Sequence, residues 1–222
     1  MIDPLTNSQR ASDSPLVFVA ERGTPWAGGD DLVTLDEAKA HLRVTHTLAG
    51  AGAALATAEN ALITRLIRAS RLRVEDLTNR SLLASQWKMT LPRFPRGSQP
   101  IRVPRPPLVS ITSVAYVDSD GNAQTLDEGA DGYVVDSSRE PAQLFPGIDA
   151  GGWPSTQRDT ADAVVVTFQA GYADAESVPA DLVAAALQLL GGMYEHREPQ
   201  AGADIERAIR YMIGGHILPE VY

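Results

Sequence analysis

The sequence predicts an α+β fold: a helical body made of an N-terminal helix pair plus C-terminal helices, with an inserted, mainly antiparallel β domain. Three observations predict it. Apolar residues recur at helical spacing over residues 34–78 and again over 179–213, but alternate in short runs between those stretches. Pro92, Pro95, Pro100, Pro104, Pro106 and Pro107 crowd the middle, where they forbid helix and favour extended chain or edge strands. The 222 residues suit one domain or two small ones, long enough to bury a real core.

Residues 1–31 read as a poorly ordered extension. Pro4, Pro15, Pro25 and the Gly28-Gly29-Asp30-Asp31 run break regular structure, and only Leu16-Val17-Phe18-Val19 offers a strand. Residues 32–80 hold the N-terminal helices. Thr34 followed by Glu37 makes a capping box, and Leu35, Ala38 and Leu42 continue at helical spacing to about Val44. A second helix is expected from about Leu55 to Thr78. Leu55, Ala58, Leu62, Leu66 and Ala69 form its main stripe, with Ile63, Ile67 and Val74 beside it. Arg65, Arg68 and Arg71 fall elsewhere on that helix.

Residues 81–176 form the β-rich insert. Trp87, Met89 and Leu91 alternate with polar neighbours, the pattern of a half-buried strand. Ile111–Val117 is a second strand, Asp120-Gly121 a tight turn, and Gln124–Leu126 the returning arm of a hairpin. Tyr133–Val135 and Val164–Phe168 complete the set, with loop from Gly147 to Thr160. Residues 177–199 form a C-terminal core helix that starts at Pro179, a favoured first helical position, and presents Leu182, Val183, Ala186, Leu189, Leu190 and Met193 on one face. Gly191-Gly192 weakens this helix and permits close backbone packing. Residues 200–222 carry a last amphipathic helix, Ile205, Ala208, Ile209, Met212 and Ile213. Its roughly three turns are too few to be stable alone, so its stripe must dock on its own domain or on a partner.

Composition excludes several classes. No apolar run approaches the roughly 20 residues of a membrane-spanning helix, so no membrane role is expected. The polar Met1–Arg10 does not resemble a secretion signal. With no cysteine there is no disulfide, thiolate metal site or cysteine nucleophile. The formal charge is −9, which argues against general nucleic-acid wrapping. That total hides a segregation: residues 81–106 carry five bases and no acid, while residues 107–180 carry twelve acids and two bases. Such a chain either presents solvated surface of uneven composition or associates head to side with copies of itself, an arrangement that yields rings when the rotation closes.

Catalytic patterns are missing. His41 and His46 are five apart and miss the register of a zinc-binding H-E-x-x-H helix; His196 and His216 read as structural or surface residues. There is no P-loop, G-x-G-x-x-G or G-x-S-x-G. Asp118-Ser119-Asp120-Gly121-Asn122 begins like a calcium loop, but positions 6 and 12 hold Ala123 and Gly129, so a hairpin turn is expected. No cofactor is expected.

The order of several short motifs resembles the head–tail connector, or adaptor, proteins of tailed phages. Val33-Thr34-Leu35-Asp36-Glu37-Ala38-Lys39-Ala40-His41-Leu42-Arg43-Val44 looks like that family's opening helix. It is followed by Arg71–Arg80, the Gln86-Trp87 strand, Pro104–Leu108, Ile111–Val114 and Tyr116-Val117-Asp118. Phe168-Gln169-Ala170-Gly171-Tyr172, Val178–Leu182 and Tyr194–Glu198 close the series, which spans residues 33–199. The resemblance implies a structural virion protein without catalytic residues, made in the host cytoplasm. It implies a ring, usually of twelve subunits, below the portal. That ring joins the capsid to the stopper or tail-completion protein, and DNA passes through its lumen without sequence-specific binding.

On this reading residues 200–222 act as a portal-docking arm through Ile205, Ile209, Met212, Ile213, Ile217, Leu218 and Tyr222. A charge introduced at Ile209 would then spoil docking but leave the subunit folded. Subunits are expected to meet through Arg65, Arg68, Arg93 and Arg96 on one side and Asp127 and Glu128 on the other. The acidic segment, with Asp127, Glu128 and Asp131, is expected partly to face the channel or the tail, where like charge lets DNA slide. The alternatives are a cytosolic small-ligand binding module and a metal-dependent hydrolase built from scattered acids.

Overall fold

The computed structural model describes residues 19–25, 31–44, 52–196 and 202–218. Helix α1 (Leu35–Leu42) starts as the capping box requires. Thr34 is extended, its hydroxyl accepts the Glu37 amide at 3.2 Å, and the Glu37 carboxylate accepts the Thr34 amide at 2.8 Å. Arg43, in the left-handed region at φ 55°, ends the helix one residue before the expected stop.

Helix α2 (Gly52–Thr78) is the long strut of the body, and its buried face differs from the expected stripe. Ile63, Ile67, Val74 and Leu77 are buried, together with Ser70, Arg71, Glu75 and Thr78. Ala58, Leu62 and Ala69 face solvent, with Leu62 41% exposed. The two candidate stripes run one residue, about 100°, apart on the same helix, and both have helical period. Helix α3 (Ala180–Glu195) selects the inner one by packing Leu182, Ala185, Ala186 and Leu189 around Val74 and Leu77. Pro179 sits at the N-cap, one position earlier than expected.

Helix α4 (Gly202–Met212) closes this core. Ile209 and the following Ile213 are fully buried against α2 and α3 residues. Of the glycine pair, Gly192 is the crowded member: a Cβ there would stand 2.6 Å from Cδ1 of the Ile205 side chain on α4, while Gly191 has room for one. A 3-10 turn, Gly214–His216, then turns the chain toward the end of α2.

Among the described residues there are eight strands, β1 (Val19–Pro25) from the N-terminal extension and seven from the insert: β2 (Ser85–Leu91), β3 (Ile101–Arg102), β4 (Leu108–Val117), β5 (Ala123–Leu126), β6 (Tyr133–Asp136), β7 (Gln143–Pro146) and β8 (Val164–Ala170). Five pair in the order β1-β2-β8-β4-β5 and three in the order β3-β7-β6, every ladder antiparallel. The expected alternation holds in β2, where Ser85, Trp87, Met89 and Leu91 point inward. Strand β8 lies between β2 and β4, and its Val164, Val166 and Phe168 are completely enclosed. Tyr133, Leu144, Ile101 and Phe94 complete one core shared by both sheets.

Three strands depart from expectation. The N-terminal extension is not wholly unstructured: β1 starts at Val19, last residue of the apolar run, and pairs Val19 with Thr90 through Pro25 with Ser85. Its edge position tolerates Pro25, which has no amide to donate. Leu16–Phe18 lie outside the described residues. Strands β3 and β7, two and four residues long, are not among the expected strands. Among the described residues, no helix is long and apolar enough to cross a membrane.

The junction between body and insert is polar and buried. Gly171, at φ 121°, follows β8 where a Cβ would lie 2.3 Å from the Leu83 carbonyl oxygen, so only glycine fits. Arg71 and Glu75 pair at 3.2 Å with 6% and 2% of their side chains exposed. Arg80 bonds the His216 carbonyl at 2.9 Å and Glu140 at 2.7 Å, joining the C-terminal segment to the insert.

Candidate functional site

Three surfaces carry the residues singled out from the sequence. The first is the C-terminal segment. The structure corrects the assignment of Ile209 and Ile213 as free partner-binding residues: their side chains are used by the chain's own core. Ile205 and Ile217 are partly buried against the same core, and Leu218 is half-buried. Met212 is 36% exposed, while Tyr211, not foreseen, is 93% exposed. Tyr222 lies outside the described residues. The reason is geometric: Ile209 and Ile213, with Ile205 partly covered, pack against α2 and α3 residues, and polar contacts fix the segment there. Arg73 of α2 bonds Glu206 at 2.5 Å, which with Arg210 holds that carboxyl below the usual glutamate range. His216 meets Asp181 at 2.6 Å, the Leu218 amide donates to the Thr78 carbonyl at 3.1 Å, and the Asn79 side chain donates to the Leu218 carbonyl at 2.8 Å.

The second surface is an open cleft of about 1400 Å³ on the insert. Its floor and walls come from the Pro92–Arg96 loop, Ser119 in the β4–β5 turn, and residues Pro154–Ala161. Arg93 and Arg96, predicted as interface residues, both line it and are exposed, as is Arg158, which the sequence reading passed over. Buried Phe94 anchors the loop by stacking on Trp153 at 4.9 Å with planes 3° apart, while Trp153 donates its indole N–H to the Gln99 carbonyl at 2.8 Å. Arg65 and Arg68 are not in this cleft. They lie on the exposed side of α2, and Arg68 pairs with Asp31 at 3.4 Å.

The third surface is an acidic knob beyond the end of β5. Asp127 and Glu128, expected at a subunit contact, are exposed there with Asp131, and Asp149 joins them from a second loop. The loops are tied together: the Gly147 amide donates to the Gly132 carbonyl at 2.8 Å and the Asp149 amide to the Ala130 carbonyl at 2.9 Å. A Cβ on Gly147 would lie 2.1 Å from the Ala130 carbonyl oxygen. Burial, then the nearby charges of Glu128 and Asp127, push the Tyr133 hydroxyl above its usual range. Ile148 projects from this knob, 88% exposed, and no sequence signal marked it.

The Asp118 segment is a hairpin turn. Its carboxylate accepts the Asp120 and Asn122 amides at 3.0 and 2.9 Å and the Gln124 side chain at 3.0 Å, the Asn122 contact chiefly holding its pKa low. His41, Glu195 and His196 line a hollow of about 350 Å³ beside Gly191. Among the described residues, no group of three His, Cys, Asp or Glu side chains gathers as a metal site would require.

No family model and no curated protein matches the chain. Solved structures do. A chain in the neck of an empty GTA particle computed with C6 symmetry matches with TM-score 0.71 and 21% identity, over 92% of this chain and 97% of that one. A chain in the virion of a native gene transfer agent particle matches with TM-score 0.69 and 22% identity, over 91% and 97%. A chain in the neck of a native GTA particle computed with C12 symmetry matches with TM-score 0.67 and 20% identity, over 92% and 97%. Helical body and β insert together therefore make a fold that these chains share.

Proposed function

We propose that this chain is a head–tail connector subunit: a structural protein that forms a ring in the neck of a phage or phage-like particle. The observation that carries the reading is the end-to-end fold likeness to chains of gene transfer agent particles, which spans 97% of each neck chain. The ordered motifs over residues 33–199 support it independently of the coordinates. In this reading about twelve copies sit below the portal, contact the stopper or tail-completion protein, and leave a lumen for DNA. The C12 and C6 symmetries of the neck structures are compatible with that number. The chain performs no bond-making chemistry; its work is to bury surface against neighbours.

The decisive experiment is cryo-EM of the particle's neck from cells expressing a tagged copy, joined to co-assembly of purified chain with portal followed by native mass spectrometry. A ring of this chain against the portal is expected. Particles whose collar lacks the chain, together with a purified chain that stays monomeric with portal present, would overturn the reading.

A further inference from the structure

We propose that the acidic knob of one copy seats in the arginine-lined cleft of the next, so that each subunit contributes both halves of a head-to-tail contact. The inference rests on the ring reading above and gives its subunit contact specific residues.

The two halves lie at opposite ends of one strand. Ser119, just before β5, lines the cleft, and Asp127 follows the last residue of β5 in the knob. A contact between two different patches of the same chain is heterologous, the kind that builds a ring when its rotation closes. The patches are complementary in charge. The cleft presents Arg93, Arg96 and Arg158 against one acid, Asp159. The knob presents Asp127, Glu128, Asp131 and Asp149 with no base among them.

These charges are also unspent. Arg73, Arg80, Arg105, Arg207 and Arg210 all form ion pairs within the chain. Among the described residues, neither the three cleft arginines nor the four knob acids do. Opposite potentials of this kind steer association and fix register, even where each exposed pair adds little affinity.

Shape agrees with charge. Ile148 stands almost fully exposed at the tip of the knob, on a turn closed by the Ala150 amide donating to the Gly147 carbonyl at 3.1 Å. A side chain displayed on hydrogen-bonded backbone loses little conformational freedom when it docks. The cleft offers it the rings of Pro92 and Pro95, which line it together with the arginines, in a volume ample for an isoleucine and the neighbouring carboxylate. The aromatic stack of Phe94 on Trp153 keeps the receiving side equally fixed.

The chain has no cysteine, so a cross-link reports this contact without background. Particles are prepared with the Ile148→Cys/Ser155→Cys double variant, oxidised, and run on a non-reducing gel. A ladder of multimers is expected from the double variant and only monomer from either single one. In parallel, Arg93→Glu/Arg96→Glu should reduce incorporation into particles at least tenfold while leaving the melting temperature unchanged. Adding Asp127→Arg/Glu128→Arg to those chains should restore it. Rings visible in the neck with no ladder and no rescue would overturn this contact and leave the ring standing; so would a map placing the knob on the lumen wall. A chain absent from particles and monomeric with portal would end both.

Discussion

Glu75 accepts the amide of Leu82 at 2.9 Å on the same oxygen that takes Nη1 of Arg71 at 3.2 Å. One buried carboxylate thus secures the last turn of α2 and the chain that leaves it for the β insert. Removing the carboxylate takes the Glu75 charge from a buried guanidinium and the acceptor from a buried amide. Glu75→Ala should cost about 3–5 kcal/mol in urea unfolding. Glu75→Gln, which still offers an oxygen to Leu82, should cost less. Equal stability of Glu75→Ala and the natural chain would mean that the junction is held by something else.

The knob depends on the lack of a side chain at 147. A methyl there would meet the Ala130 carbonyl oxygen at 2.1 Å, and a backbone carbonyl cannot swing aside as a side chain can. Gly147→Ala should lose about 1–3 kcal/mol. Gly214→Ala, with nothing within 4 Å, should stay within about 0.5 kcal/mol of the natural chain. Thermal melts of the two variants side by side check both statements.

Ile209→Asp does not isolate partner docking. Ile209 is fully buried, so the aspartate would lose its apolar contacts and place a charge in the core. The loss should exceed the roughly 2–5 kcal/mol of truncating an isoleucine to alanine. Tyr211→Ser, at a side chain 93% exposed, should leave the melting curve of the isolated chain unmoved. Circular dichroism at rising temperature separates the two.

The clasp between α2 and α4 responds to acid. Hydrogen bonding from Arg73 lowers the Glu206 pKa first of all, with Arg210 adding to it against the cost of burial. A carboxyl whose folded pKa is depressed stabilises the fold above the ordinary glutamate value, about 4.3, and loses that contribution as pH falls through the folded value. Glu206→Gln should therefore cost stability at pH 7, by at most about 1 kcal/mol because both partners are partly exposed. The gap between the two chains should close in acid; a gap that widens there would contradict the assignment.

Much of this was legible in the residues. Thr34 and Glu37 announce α1 because a capping box is local: both partners lie within one turn. Trp87, Met89 and Leu91 announce β2 because one face is wet and one dry. What could not be read depends on partners distant in sequence. Leu62 and Leu66 form as good a stripe as Ile63 and Ile67, and the packing of α1 and α3 decides which is covered. Arg71 looks like a surface charge, yet it is buried and paired with Glu75. Strand β7 contributes a single fully enclosed residue, Leu144, too little for a period to register. At the candidate contact, the charge blocks drew notice to Arg93, Arg96, Asp127 and Glu128, all of which are exposed. Ile148 and Arg158 went unseen because exposure of a lone loop residue leaves no pattern in a sequence.

Arg80 touches three parts of the chain at once: it follows α2, holds the His216 carbonyl, and pairs with Glu140 of the insert. With Leu218 bonded to Thr78 and Asn79 beside it, the C-terminal segment is tethered at the seam between helices and sheets. A pull applied to the chain beyond Leu218 would consequently meet the hydrogen bonds to Thr78 and Asn79 at the end of α2 before any load reached α4.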